Sequence, residues 1–140
     1  MKKNKLIYIS AAILILIGVI VFFVFLNEND TERRNKIVID KNNLIGDWVR
    51  TDAQYLIRIT KINDDGTITA QYFNPNPINV GNATWEENYG NYQIVVEMRD
   101  VNYPGSTYTL NYLPDKDILA GEYYQAVEGL RFYVEFTRRK

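Results

Sequence analysis

The 140-residue chain has no cysteine, no histidine and only four prolines. Without cysteine there is no disulfide framework, no thiol nucleophile and no lipid-attachment site, and without histidine the usual general base and zinc ligand are gone as well. An excess of one charge is missing too, since 16 Lys/Arg stand against 17 Asp/Glu for a net of −1. Binding of nucleic acid through a strongly basic surface is thereby disfavoured. No glycine-rich phosphate loop is present. Asn63-Asp64-Asp65-Gly66 and Asp115-Lys116-Asp117 lack the further ligands of a calcium loop and read as turns, so neither a metal nor a cofactor is expected.

Apolar residues do form one long run. Leu6 to Leu26 is 21 residues without a charge, preceded by Lys2, Lys3 and Lys5 and followed by Asn27, Glu28, Asn29 and Asp30. As a helix that length crosses the roughly 30 Å hydrocarbon layer. A cleaved export signal is the alternative, but its apolar core is usually only about 7–15 residues and ends at a small-x-small pair. Here the run ends Phe23-Val24-Phe25-Leu26. The expected organisation is a cytoplasmic tail over 1–5, an uncleaved anchor over 6–26, a polar linker over 27–43 and an extracytoplasmic domain over 44–140. Arg33, Arg34 and Lys36 match the N-terminal lysines in number, so the orientation rests on the shortness of the tail.

Residues 36–140 carry 11 Lys/Arg against 14 Asp/Glu and offer no basic patch to nucleic acid or anionic lipid. From Leu44 onward apolar and polar residues alternate in short segments rich in β-branched and aromatic side chains, bounded by Asn, Asp, Gly and Pro. The pattern predicts eight strands: Ile45–Arg50, Gln54–Ile62, Thr67–Phe73, Gly81–Glu87, Tyr92–Arg99, Ser106–Leu113, Ile118–Gln125 and Leu130–Arg138. Spacings of about 12 residues leave no room for crossover helices, so neighbours pair antiparallel in a closed up-and-down barrel or a two-sheet sandwich. Every later strand has one dry face, as in Ile94, Val96 and Met98 or Leu130, Phe132, Val134 and Phe136, and one wet face. That favours a single sheet curled around its own interior. The expected fold is all-β, an eight-stranded antiparallel up-and-down barrel preceded by one transmembrane helix.

If the first strand pairs with the last, Trp48 and Arg138 share one end of the barrel, where a guanidinium can stack on the indole. Gly46-Asp47-Trp48 on the first strand, with an arginine on the last, resembles the calycin superfamily, the lipocalins, avidins and fatty-acid-binding proteins. In lipocalins a first-strand Gly-x-Trp packs its tryptophan against a late-strand arginine at the closed end. The resemblance implies that Trp48 and Arg138 form such a cap, with Arg139 as the neighbouring candidate. TDAQY, YFNPNPINV and RDVNYPGSTYTL are also similar to stretches of small bacterial envelope proteins, a likeness that carries no activity. The chain lacks the disulfide pairs of many secreted lipocalins and the biotin contacts of avidins, so no ligand identity transfers.

In such a barrel the tight turns at 63–66, 88–91 and 114–117 share the end where the chain enters. The opposite rim holds Asn74-Pro75-Asn76-Pro77-Ile78-Asn79-Val80 and Asp100-Val101-Asn102-Tyr103-Pro104-Gly105, with three of the four prolines. Stiff polar loops on one rim are a natural place for a binding site, and proline limits their freedom. They also build stable turns without any ligand. The candidate binding residues are Asp52, Tyr72, Asn74, Asn76, Asn79, Asp100, Asn102, Tyr103, Tyr108 and Tyr123, on the rim and in the upper interior. Whether inward tyrosines fill the barrel or line a cavity is open at this point; a cavity would suit a flat or sugar-like ligand with polar edges. Binding of a small molecule is the leading expectation. A structural or inhibitory role against an envelope protein is the alternative, and hydrolysis by Asp52 and Asp100 is a third.

Overall fold

The computed structural model describes residues 20–22 and 40–140. The tail over 1–5 and most of the expected anchor and linker lie outside the described residues; 20–22 are helical. No helix among the described residues is long and apolar enough to cross a membrane. The chain divides into two units, 1–37 and 38–140, and every strand belongs to the second.

That unit opens with a 3₁₀ helix, Lys41–Leu44, whose N-cap Asp40 accepts a hydrogen bond from the Asn42 N–H at 2.9 Å. Nine strands follow: β1 Gly46–Arg50, β2 Leu56–Ile62, β3 Ile68–Asn74, β4 Asn76–Ile78, β5 Val80–Asn88, β6 Asn91–Asp100, β7 Tyr103–Leu113, β8 Ile118–Gln125 and β9 Leu130–Arg138. They form one antiparallel sheet in the order β4-β3-β2-β1-β9-β8-β7-β6-β5. The first long strand therefore pairs with the last, in the register Trp48↔Arg138, and the sheet curls into a nearly closed barrel. All eight expected strands are present, with ends shifted by a few residues.

The ninth strand corrects the expectation. By its prolines the Asn-Pro stretch reads as a loop, because proline cannot continue a strand. Instead the chain doubles back at Pro75, and β4 pairs with β3 through Asn74↔Asn76, Phe73↔Pro77 and Tyr72↔Ile78. Proline is tolerated because β4 is an edge, where its missing N–H breaks no ladder. The insertion also interrupts the meander: β5 is joined to the chain just before β3 by the Thr67↔Thr84 bridge, a 2.8 Å bond from the Trp85 N–H to the Gly66 carbonyl and a 2.8 Å bond from the Trp85 indole N–H to the Asn63 carbonyl. That is the seam of the barrel.

The dry faces converge as the alternation requires, and Trp48, Ile57, Ile94, Val96, Met98, Leu110, Leu119 and Phe136 are fully buried. A bulge in β2 between Ile59 and Lys61 puts Ile62 inside, three residues after Ile59. Leu130 and Phe132, expected inside, are 47% and 42% exposed, because the start of β9 stands at the rim, where no further layer of side chains covers it.

The closed end is sealed by Trp48 and Arg138. The Arg138 guanidinium lies 4.2 Å from the centre of the indole. It donates to both carboxylate oxygens of Asp117 at 2.7 and 2.8 Å and to the carbonyls of Ile45 and Asn43 at 2.7 and 2.6 Å. The indole N–H donates to the Leu44 carbonyl at 2.9 Å, binding the 3₁₀ helix across the bottom. Gly46, at φ 150°, is required here: a Cβ would stand 2.5 Å from Arg138 Nη1.

Candidate ligand pocket at the barrel rim

At the opposite end the interior widens into an open pocket of about 480 Å³. Its floor is built from tyrosines that strand alternation sends inward. Tyr72 on β3 and Tyr108 on β7 meet hydroxyl to hydroxyl at 3.1 Å, and both are buried. Tyr108 stacks on Tyr123 of β8 at 4.6 Å and stands edge-on to Phe136 at 5.2 Å. Around this floor stand Tyr55, Tyr103 and Phe132, with the amides of Asn74, Asn102 and Gln125 at the mouth. Tyr103 lies edge-on to Tyr72 at 6.2 Å, and its hydroxyl accepts from the Asn74 amide.

One cation enters the pocket wall. Arg50 follows Trp48 by two residues, so the same alternation turns it inward, and its side chain is only 12% exposed. The guanidinium rests against the rings of Tyr55 and Tyr123, at 5.3 and 5.8 Å. It donates from Nε and Nη2 to the two oxygens of Asp52 at 2.6 and 2.9 Å. Burial works against its charge, but the Asp52 carboxylate and the Tyr108 hydroxyl outweigh it and raise its pKa. Asp52, bonded to that guanidinium, is held below the usual carboxylate range. Burial pushes Tyr108 up to about 12, against the pull of Tyr72 and Arg50, and raises Tyr72 and Tyr123 in the same direction.

Of the residues expected at the site, Asp52, Tyr72, Asn74, Asn102, Tyr103 and Tyr123 line this pocket together. Tyr108 lies beneath it, fully buried. Asn76, Asn79 and Asp100 are not among its lining residues. Asn76 is an exposed residue of the edge strand β4. Asp100 accepts from the backbone N–H groups of Asn79 and Val101 at 3.0 and 2.7 Å, fastening the end of β6 to the chain after β4. Those two N–H groups hold its carboxyl below the ordinary value. The lining residues that the expected set lacked are Arg50, Ala53, Tyr55, Gln125 and Phe132. Tyr55 and Phe132 carry the signal of inward alternation, and Gln125 follows Tyr123 by two. Among the described residues no group of acidic side chains could hold a metal ion.

Comparison with protein families, with curated proteins and with solved structures finds no match for the chain.

Proposed function

We propose that the chain is a membrane-anchored extracytoplasmic binding module, a calycin-like barrel that takes a small ligand into its rim pocket. The observation that carries this reading is the contrast between the two ends. One end is sealed by Trp48 and Arg138, and the other opens a pocket of about 480 Å³, within the roughly 300–1,000 Å³ usual for small-ligand sites. The walls offer flat aromatic faces and the mouth offers amides, which suits a compact ligand with polar edges better than an acyl chain. The pocket is at the far end of the barrel from Leu44, where the chain enters the first strand. The anchor itself rests on the apolar run over 6–26 and the lysines before it.

A hydrolytic pair needs one carboxyl with a raised pKa to act as the acid. Asp52 and Asp100 are both shifted downward by their partners, which favours binding over catalysis. A protein partner is the second reading. The exposed Val101, Val127, Leu130 and Tyr133, on the rim loops and β9, favour it, being 92%, 62%, 47% and 71% exposed.

Native mass spectrometry of the full-length chain, purified in mild detergent from its own host, tests the first reading. The expected result is a small-molecule adduct that is absent from an Ala53→Trp variant, whose indole fills the pocket mouth. An adduct-free wild type that instead retains a protein through stringent washing would sink it.

A further inference from the structure

We propose that Arg50 is the seat for the carboxylate of a small, flat organic acid, and that Asp52 is a tethered occupant of that seat which the ligand displaces. The inference rests on the reading of the rim pocket as a ligand site and names the ligand's chemical class.

The two members of the ion pair are held very differently. Arg50 is almost covered, and its guanidinium rests against Tyr55 and Tyr123, which belong to separate parts of the barrel. Asp52 sits in the turn after β1, 61% exposed, and is held by Arg50 and its own backbone N–H. A rotation about its side-chain bonds carries it into water. An exposed carboxylate gives up little on leaving such a pair, because water replaces the guanidinium. A buried guanidinium left without an anion is far less well off. The fixed element is therefore a cation that requires an oxyanion partner, and the partner now in place is the replaceable one.

The remaining geometry selects among oxyanions. The guanidinium fork matches a carboxylate or a phosphate through two parallel N–H donors. Arg50 is the sole cation lining the pocket among the described residues, and Asp52 stays nearby after it swings out, so the site balances one negative charge and not two. Tyr55, Tyr123 and Phe132 line the pocket beside the seat with aromatic surface, which fits a flat apolar body better than a bulky one. A planar monocarboxylate satisfies both conditions.

The test uses the full-length chain with benzoate, its neutral analogue benzamide and the dianion phenyl phosphate, titrated by calorimetry or by ligand-observed NMR. Benzoate is expected to bind at least tenfold more tightly than benzamide or phenyl phosphate. Asp52→Ala, a change at an exposed turn, is expected to tighten benzoate roughly fivefold by removing the competitor, with a much smaller effect on benzamide. Arg50→Lys, which keeps the charge but loses the fork, is expected to weaken benzoate at least tenfold. Equal binding of benzoate and benzamide would overturn the carboxylate seat while leaving the pocket a ligand site. Tighter phenyl phosphate, benzoate binding unchanged or weakened in Asp52→Ala, or no benzoate binding at all would also overturn the seat. The pocket reading is then judged separately by the adduct experiment.

Discussion

Replacing Trp48 with alanine removes the centre of the closed end, and the loss can be worked from its surroundings. The side chain is fully buried, stands edge-on to Tyr112 at 5.9 Å, lies beneath the Arg138 guanidinium and donates its N–H to the Leu44 carbonyl. Burying a tryptophan takes roughly 200 Å² out of water, or ~5 kcal/mol at about 25 cal/mol per Å². Alanine keeps part of that, and a compact denatured chain has already buried another part, which leaves ~3 kcal/mol. The Leu44 carbonyl then loses its donor in a covered position, adding ~1 kcal/mol. The expected loss is about 4 kcal/mol, a large share of the roughly 5–15 kcal/mol that stabilises an ordinary domain.

Urea unfolding of the full-length chain in mild detergent measures it, and Trp85, the other of the two tryptophans, supplies the fluorescence signal. The midpoint should fall with little change in slope. Trp48→Phe, which keeps most of the apolar body but not the N–H, should lose about 2 kcal/mol. A loss below 1 kcal/mol for the alanine variant refutes the view that this end is held shut by the tryptophan.

Gly46→Ala should destabilise by ~2 kcal/mol in the same assay, because it meets both the positive φ and the Arg138 guanidinium; an unchanged midpoint would show that this end yields more easily than its contacts imply. High pH tests the pocket floor. Unfolded tyrosine ionises near pH 10, whereas Tyr108 is pushed up to about 12 and Tyr72 is raised in the same direction. Between those values the unfolded chain has released protons that the folded chain keeps, so the stabilisation is complete below about pH 10 and is lost as the pH rises through about 12. Tyrosinate absorbance recorded beside circular dichroism should show these two rings ionising only with unfolding, and flat stability from pH 10 to 12 would sink the assignment.

Strand alternation makes most of this barrel legible, because the period of two survives wherever one face is dry. The pairing of Trp48 with Arg138 is readable as well, since it needs only strand lengths and an antiparallel seam. Three things are not. The strand Asn76–Ile78 is hidden by prolines, whose exclusion from strands relaxes at an unpaired edge. The exposure of Leu130 and Phe132 depends on where the rim cuts β9, which alternation does not encode. Arg50 escapes notice because two local rules conflict: its place two residues after Trp48 says inward, and its charge says outward. The structure resolves the conflict by burying the stem and flanking the guanidinium with tyrosines and Asp52. Conflicts of this kind are more often found at functional positions than in plain core. Asp100, whose rim position suggests a ligand contact, has a second part that the sequence does not show, since its carboxylate accepts from two backbone N–H groups.

The contrast between the two ends explains how one small barrel can be firm and still leave an opening. At the closed end the apolar layers run down to Trp48, and the polar groups there pair among Arg138, Asp117 and nearby carbonyls. At the rim, wide aromatic rings replace aliphatic side chains, and rings fixed at their edges cannot collapse into the space between them. Tyr72 and Tyr108 hold each other by their hydroxyls, and Tyr123 is stacked on Tyr108. A ligand that enters finds walls already ordered, so little side-chain freedom is lost on binding. The variable part of the affinity then falls on the one pair that must rearrange, Arg50 and Asp52, and removing Asp52 or reshaping Arg50 should move benzoate binding in opposite directions.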